Sequence, residues 1–211
     1  MKKYQKLFAG LGCWLVFAVF LWGVQQNAGW IHRLDHWGYQ LLQPTTPQRT
    51  QLFIVITHLG DPILLLPLSL LVLAICWWRH QRGRGLWFAG LQIIGYCLVI
   101  AVKYSILRPR PDRKLIPASG FSFPSGHTFA TTVFTLAVLA IVWPHLKERW
   151  QRVLASLLAA CWILLVMASR VYLRNHFTTD VLAGLFLGSG WWFLATAALH
   201  HFTACRQRIA S

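Results

Sequence analysis

The sequence predicts an all-α membrane protein that crosses the bilayer with six helices. Hydrophobic residues make up 56% of the 211-residue chain and charged residues only 12%, whereas soluble domains carry about 25% charged residues. Apolar runs long enough to cross a bilayer recur along the whole sequence. No linker or low-complexity segment divides them, so residues 1–211 are predicted to form one membrane domain.

The apolar runs predict transmembrane helices at residues 7–24, 53–78, 86–107, 125–143, 153–172 and 178–200. The first run follows Lys2, Lys3 and Lys6, a pattern shared with signal peptides. It is longer than a typical signal-peptide core, and no small-x-small cleavage site follows it. We therefore interpret it as a retained transmembrane helix.

Asp61-Pro62 interrupts the second apolar run. Proline favours the first position of a helix, so Pro62 is predicted to begin the span proper, after a turn at residues 57–60. A carboxylate inside a membrane segment would indicate a functional group. At the end of a span, Asp61 is interpreted instead as a helix cap.

The segment Trp30–Leu42 is too short to cross a bilayer. Its apolar residues fall on one helical face, and Arg33, Asp35 and His36 lie off that face. The apolar residues are Trp30, Ile31, Leu34, Trp37, Gly38, Leu41 and Leu42. This pattern predicts an amphipathic helix in the outer membrane interface, the alternative being an ordinary polar connection.

Pro124-Ser125-Gly126-His127 begins the fourth span. Ser125 is predicted to cap the helix, and Gly126 lets an anion approach the backbone closely. The free N–H groups of a helix start bind anions, although most Ser-Gly pairs in this position are only caps. Beside a bound phosphate, a protonated His127 would donate a proton to the leaving oxygen.

His176 and Asp180 are four residues apart at the start of the sixth span, which predicts a shared helical face. A carboxylate that accepts a hydrogen bond from one ring nitrogen of a histidine orients the ring and leaves the second nitrogen free. This arrangement suits a histidine that attacks phosphorus. The alternative for this pair alone is a capping aspartate next to an interfacial histidine.

Lys103, Arg110 and Arg170 lie at span ends that alternation of the six helices places on one membrane face. That face also receives His127 and His176. Phosphoryl transfer builds negative charge on the equatorial oxygens, for which Arg offers planar paired donors. Each cation alone is explained by snorkelling to lipid headgroups, but their convergence on two histidines favours a phosphate clamp.

Loop charges predict the orientation. With a cytoplasmic N-terminus, that side holds eleven Lys and Arg and the other side nine. The other side includes the three cations of the candidate site, and without them the ratio is eleven to six. The positive-inside rule then places both termini in the cytoplasm and the site outside. The net charge of +15 is explained in the same way, so no nucleic-acid partner is predicted.

The ordered motifs Lys-x6-Arg-Pro, Pro-Ser-Gly-His and Ser-Arg-x5-His-x3-Asp are complete over residues 103–180. In this combination they closely resemble the type 2 phosphatidic acid phosphatase superfamily. The layout of six spans is similar to that of its bacterial integral-membrane lipid phosphatases, so the resemblance covers the whole chain. It implies a location in the bacterial cytoplasmic membrane.

The resemblance also implies roles for the motif residues. His176 would attack phosphorus to form a phosphohistidine, Asp180 would polarise it, and His127 would protonate the leaving group. The phosphoryl oxygens would be bound by Lys103, Arg110, Arg170, Ser125 and Gly126. No cofactor is implied, and Asp61, Asp112 and Asp180 are too scattered in the sequence for a two-metal phosphatase.

Two choices remain within the resemblance. Arg108-Pro109-Arg110-Pro111 contains two Arg-Pro pairs, and the six-residue gap selects Arg110, which makes Arg108 an accessory cation. A lipid phosphate entering from the bilayer is the predicted substrate. We favour undecaprenyl diphosphate, because Arg108, Arg113 and Lys114 suit a highly charged headgroup. The alternatives are phosphatidylglycerol phosphate, phosphatidate, a lipid phosphotransferase, and a non-catalytic anion channel or transporter.

Overall fold

The computed structural model describes residues 3–209, with side chains described for residues 4–199. Lys2, Lys3, Arg206 and Arg208, which entered the loop-charge count, therefore lie outside the described side chains. The described residues form eight α-helices and a 3-10 turn at Trp143–His145. The helices are α1 (Lys3–Gln25), α2 (Gly29–Leu41), α3 (Pro47–Leu59), α4 (Pro62–Trp78), α5 (Arg82–Ile106), α6 (Gly126–Val142), α7 (Arg149–Tyr172) and α8 (Thr178–Ile209).

The predicted all-α class with six spans is confirmed. Six segments of the described chain are long and apolar enough to cross a membrane, with α3 and α4 forming one of them. Large apolar side chains face outward from these helices, as Ile63, Leu66 and Leu157 illustrate with more than half of their surface exposed. This outward apolar surface is what a multi-pass membrane protein presents to lipid.

Helices α6 and α8 pack closely and bring two motifs together. A Cβ atom at Gly184 would lie 2.7 Å from the carbonyl oxygen of Ser125, so only glycine allows this approach. The backbone N–H of Ser125 donates to the carbonyl of Asp180 at 2.9 Å. Phe123, Phe129 and other buried apolar residues form the core around this contact. The start of α6 is therefore fixed against the start of α8.

The predicted amphipathic helix is present as α2, but one assignment of its faces was wrong. Asp35 was placed off the apolar face, whereas its side chain is only 8% exposed and lies with Ile31 and Gly38 on the buried face. An ion pair with Arg108 offsets the cost of burying this carboxylate. Trp37 and Leu41 are exposed, as expected for a helix that lies in a membrane interface.

The second span begins earlier than predicted and consists of two helices, α3 and α4. Residues 57–59 were predicted to be a turn but belong to α3, which begins at Pro47 after the cap residue Thr46. The predicted cap is confirmed, because Asp61 Oδ1 accepts from the N–H of Ile63 at 2.9 Å. Only Gly60 and Asp61 separate the two helices. The first residues of α3 are polar, so a search for apolar runs did not predict that the helix begins at Pro47.

Candidate active site

The three predicted motifs meet at one end of the helix bundle. Arg110, in the loop after α5, places Nη1 at 2.7 Å from the carbonyl oxygen of Asn175 and at 3.2 Å from His176 Nε2. A Cβ at Gly126 would lie 3.6 Å from Cε of Lys103, so the last turn of α5 reaches the first turn of α6. The predicted convergence is therefore observed.

His176 lies in the turn between α7 and α8, and not on the α8 face that the spacing predicted. Its Nδ1 is 2.8 Å from the carbonyl oxygen of Ser122. A carbonyl only accepts, so the proton is assigned to Nδ1 and the lone pair to Nε2, where Arg110 donates to it. The ring nitrogen that carries the lone pair is therefore the one that faces the Arg110 guanidinium.

The charge state of His176 follows from its surroundings. Its side chain is 2% exposed, and this burial lowers its pKa well below the usual value. The positive charges of Arg170, Arg110 and Lys103 lower the pKa of His176 further. The imidazole is neutral as a result, and a neutral imidazole carries the lone pair that nucleophilic attack requires.

Asp180 holds the turn that carries His176. Oδ2 of this fully buried carboxylate accepts from the N–H of Phe177 at 2.9 Å and is 3.5 Å from His176 Nδ1. The acceptor nearest to Nδ1 is thus the Ser122 carbonyl, with the carboxylate behind it. Asp180 was predicted to orient the ring directly; in the structure its carboxylate caps α8 and lies within ion-pair distance of the ring.

Arg108, predicted as an accessory cation for the headgroup, is paired with two carboxylates in the structure. Its guanidinium donates to Asp180 Oδ1 at 2.6 Å, to Asp35 Oδ2 at 2.7 Å and to Thr179 Oγ1 at 2.8 Å. It also lies 4.2 Å from the centre of the Phe177 ring. Two buried carboxylates therefore share this one cation, which ties α2 to the start of α8.

Asp35 is a residue of this network that sequence reasoning missed. Its second oxygen, Oδ1, accepts from the N–H of Thr179 at 2.8 Å. Burial raises the pKa of Asp35, and the Thr179 N–H and the charge of Arg108 oppose that rise. The available signal was its spacing, four residues after Ile31 and three before Gly38, both of which are buried.

Arg110 links the loop after α5 to His176. Its Nε lies 3.0 Å from the carbonyl oxygens of Ser119 and Gly120, and Nη2 is 2.8 Å from that of Ser119. Its Nη1 is the group that contacts His176. Of the two Arg-Pro pairs, the one chosen from the motif gap is thus the one whose guanidinium reaches the histidine.

The other two predicted cations also lie near the histidines, with Lys103 partly buried and Arg170 buried. Lys103 Nζ donates to the carbonyl of Phe121 at 2.8 Å, and Arg170 Nη1 donates to Thr57 Oγ1 at 2.8 Å. The Arg170 side chain is 4% exposed, and its Nε has no hydrogen-bond partner among the described residues. A buried donor without a partner costs about 1–3 kcal/mol, which an anionic ligand would relieve.

Ser125 is the N-cap of α6, as predicted. Its hydroxyl oxygen accepts from the N–H of Thr128 at 3.4 Å and from Thr128 Oγ1 at 3.1 Å. The side chain is fully buried. Gly126 is the first residue of the helix, so the free N–H groups of α6 begin here. The binding of phosphate by Ser125 and Gly126 stays a prediction.

His127 has a carboxylate partner that no motif indicated. Its Nε2 lies 3.6 Å from Oδ2 of Asp61, in the short link between α3 and α4. The described residues contain no group of three or more His, Cys, Asp or Glu side chains arranged to hold a metal ion. The histidines of the site are surrounded by cations and by these single carboxylates.

A cavity of about 1050 Å³ opens beside His176. It lies between α2, the ends of α1 and α7, and the loop after α5. Among its polar lining residues are Asp35, Arg108, Arg113, Arg174 and His176. The lining does not include Lys103, Arg110 or Arg170, so the cavity flanks the cation cluster without containing it.

Comparison with known proteins identifies the family. The family model described as the PAP2 superfamily matches residues 84–204, which is more than half of the chain and includes all three motifs. The chain belongs to the PAP2 superfamily. PAP2 family phosphatases are phosphoric ester hydrolases, so this PAP2 protein is an enzyme of that type and a lipid phosphatase of the membrane.

Individual relatives agree with this assignment. The PAP2 protein is 36% identical over 157 residues to phosphatidylglycerophosphatase B of Bacillus subtilis, covering 72% of this chain and 76% of the relative. It is 34% identical over 110 residues to lipid A 1-phosphatase of Rhizobium etli, covering 47% of this chain and 43% of that one. The crystal structure of a transmembrane PAP2-type phosphatidylglycerolphosphate phosphatase from Bacillus subtilis superposes with a TM-score of 0.83. Its sequence identity is 27%, and the match covers 92% of this chain and 97% of that chain.

Proposed function

We propose that this enzyme hydrolyses the terminal phosphate monoester of phosphatidylglycerol phosphate through a phosphohistidine at His176. The observation that carries the proposal is the orientation of His176, with Nδ1–H on the Ser122 carbonyl and Nε2 3.2 Å from Arg110. A neutral, oriented imidazole with cations around it is suited to attack a phosphate. The substrate is supported by the similarity to the phosphatidylglycerophosphatase of Bacillus subtilis.

The reaction follows from the positions of the groups. Lys103, Arg110 and Arg170 neutralise the phosphoryl oxygens, and the unpaired Nε of Arg170 gains an acceptor. His176 Nε2 attacks phosphorus as the bond to the lipid oxygen breaks. His127 gives a proton to that oxygen, which leaves as an alcohol. Water then attacks the phosphohistidine, with His127 accepting a proton, and inorganic phosphate is released.

Undecaprenyl diphosphate is the second candidate substrate. The charge argument for it relied on three extra cations, of which Arg108 is committed to two carboxylates. Lys114 Nζ donates to the carbonyl of Ala118 at 3.1 Å. Arg113 and Arg174 line the cavity beside His176, and these two cations favour a substrate with a second phosphate. The monoester is preferred because Bacillus subtilis proteins that are similar over most of this chain are named as phosphatases of phosphatidylglycerol phosphate.

We propose that the enzyme lies in the bacterial cytoplasmic membrane with both termini inside and the site facing out. The charge of the connecting loops supports this orientation. The apolar, exposed residues of α2 at the same end as the site support sideways access of a lipid from the interface. Within this proposal residues 1–211 act as one domain.

Phosphate release from a panel of purified lipids in nanodiscs tests the proposal. We expect the highest kcat/KM for phosphatidylglycerol phosphate, ahead of phosphatidate and undecaprenyl diphosphate, and no release by His176→Asn. A higher kcat/KM for the diphosphate would select the second candidate. Transfer of the phosphate to an added lipid acceptor would indicate a phosphotransferase. A protein that moves anions across the bilayer without releasing phosphate would be a transporter.

A further inference from the structure

We propose that Asp61 is a positioning residue for His127, holding its ring and stabilising its protonated form so that it acts as the general acid. This inference rests on the proposed function, because it assigns a role within that reaction. It starts from the 3.6 Å separation between Asp61 Oδ2 and His127 Nε2. No family motif contains Asp61, which lies outside residues 103–180.

The two oxygens of Asp61 have different partners. Oδ1 accepts from the N–H of Ile63 at 2.9 Å and so caps α4. Oδ2 faces His127. A cap needs a single side-chain oxygen, which Ser, Thr or Asn also provides. The capping hydrogen bond therefore does not need the second oxygen of Asp61, and that oxygen is the one directed at the histidine.

The link that carries Asp61 is fixed relative to His127. A Cβ at Gly60 would lie 2.7 Å from Cγ1 of Val166 on α7, so the backbone of the link packs directly on that helix. The carbonyl of Gly60 also accepts from Thr131 Oγ1 at 3.5 Å, one turn after His127 on α6. The carboxylate is therefore held in position by its neighbours on both sides.

His127 needs a negative partner more than most histidines do. Burial disfavours an imidazolium there, and so does repulsion from the positive charges of Arg170 and Arg110. A carboxylate at ion-pair distance offsets that repulsion. With Nε2–H facing Asp61, the proton on Nδ1 is the one transferred to the lipid oxygen, which also receives the electron pair of the broken P–O bond. Asp61 itself exchanges no proton and forms no bond.

Dependence on the leaving group separates this role from a purely structural one. An alkyl phosphate such as decyl phosphate needs protonation of its leaving oxygen, whereas 4-nitrophenolate departs from 4-nitrophenyl phosphate without it. For Asp61→Asn, which keeps the capping oxygen and loses the charge, we expect kcat/KM to fall about ten-fold or more for decyl phosphate. The value for 4-nitrophenyl phosphate should change by less than about two-fold, since that reaction does not need general-acid catalysis.

Two further variants control the experiment. Asp61→Glu keeps the negative charge and should retain more activity on decyl phosphate than Asp61→Asn. In a His127→Ala background, Asp61→Asn should not lower kcat/KM further, because Asp61 is proposed to act only through His127. Melting temperatures of all the variants, measured by thermal unfolding in detergent, should match the wild type within a few degrees.

The outcomes distinguish the two proposals. Equal losses on both esters, or an additional loss in the His127→Ala background, would overturn the role of Asp61 while leaving the hydrolase intact. A wild-type enzyme that releases phosphate from neither ester nor from phosphatidylglycerol phosphate would overturn the proposed function and this inference together. A selective loss on decyl phosphate that disappears without His127 supports the inference.

Discussion

Arg108 and Asp35 form an ion pair at 2.7 Å between the loop after α5 and the short helix α2. The same guanidinium lies 2.6 Å from Asp180, which caps the helix that follows His176. Side-chain exposure is 11% for Arg108 and 8% for Asp35, so this pair is largely removed from water. The helix outside the three motifs is thereby connected to the turn that carries His176.

Removing Arg108 should destabilise the fold. Arg108→Ala removes the cation that the buried carboxylates of Asp35 and Asp180 share, and breaking a buried pair costs about 3–5 kcal/mol. We expect a clear fall in the melting temperature in detergent. Arg33→Ala, which removes an exposed cation from the same helix as Asp35, is the matched control and should leave it unchanged. Equal melting temperatures for the two variants would show that the contacts of Arg108 with Asp35 and Asp180 do not stabilise the fold.

Removing Arg110 should instead reduce catalysis. Its Nη1 contacts His176 Nε2, and loss of one donor to a developing oxyanion costs about 2.7–4 kcal/mol, or 100- to 1,000-fold in kcat. We expect Arg110→Lys to recover part of the rate, since it keeps the charge and loses the planar pair of donors. The measurement is phosphate release per folded enzyme. A smaller catalytic loss for Arg110→Ala than for Arg108→Ala, at equal folded fraction, would contradict the assignment.

The sequence predicted those parts of the structure that depend on local pattern. Ser125 and Asp61 are helix caps, and the span ends bring Arg110 beside His176, because apolar runs and alternation fix which end of each helix faces which side. The Asp35–Arg108 and Asp61–His127 pairs join residues far apart in the chain. Such contacts depend on how helices pack, which a single sequence does not reveal.

Activity should survive a chelator. The charges proposed to neutralise the phosphate are the side chains of Lys103, Arg110 and Arg170, which EDTA does not remove. We expect unchanged phosphate release after treatment with EDTA and dialysis. Loss of activity that added Mg²⁺ restores would show that a divalent cation takes part in the reaction.

Thiol labelling in intact cells tests the proposed orientation. In a background without the native cysteines, Ser119→Cys should react with a membrane-impermeant reagent, because the exposed Ser119 lies in the loop beside the site. Gly83→Cys, at the opposite end of α5, should react only after the membrane is opened. A Cβ at Gly83 meets no atom within 4 Å, so the fold tolerates this substitution. The reverse labelling pattern would place the site on the cytoplasmic side.

The central claim is that His176 Nε2 carries the phosphoryl group during turnover, and trapping that intermediate tests it most directly. Purified enzyme is mixed with phosphatidylglycerol phosphate radiolabelled in its terminal phosphate, quenched within one turnover, and digested for peptide mapping. We predict label on His176 that is stable in alkali and lost in acid, and no label in His176→Asn of equal thermal stability. Rapid phosphate release by His176→Asn, or label found on another residue of the wild-type enzyme, would contradict the account.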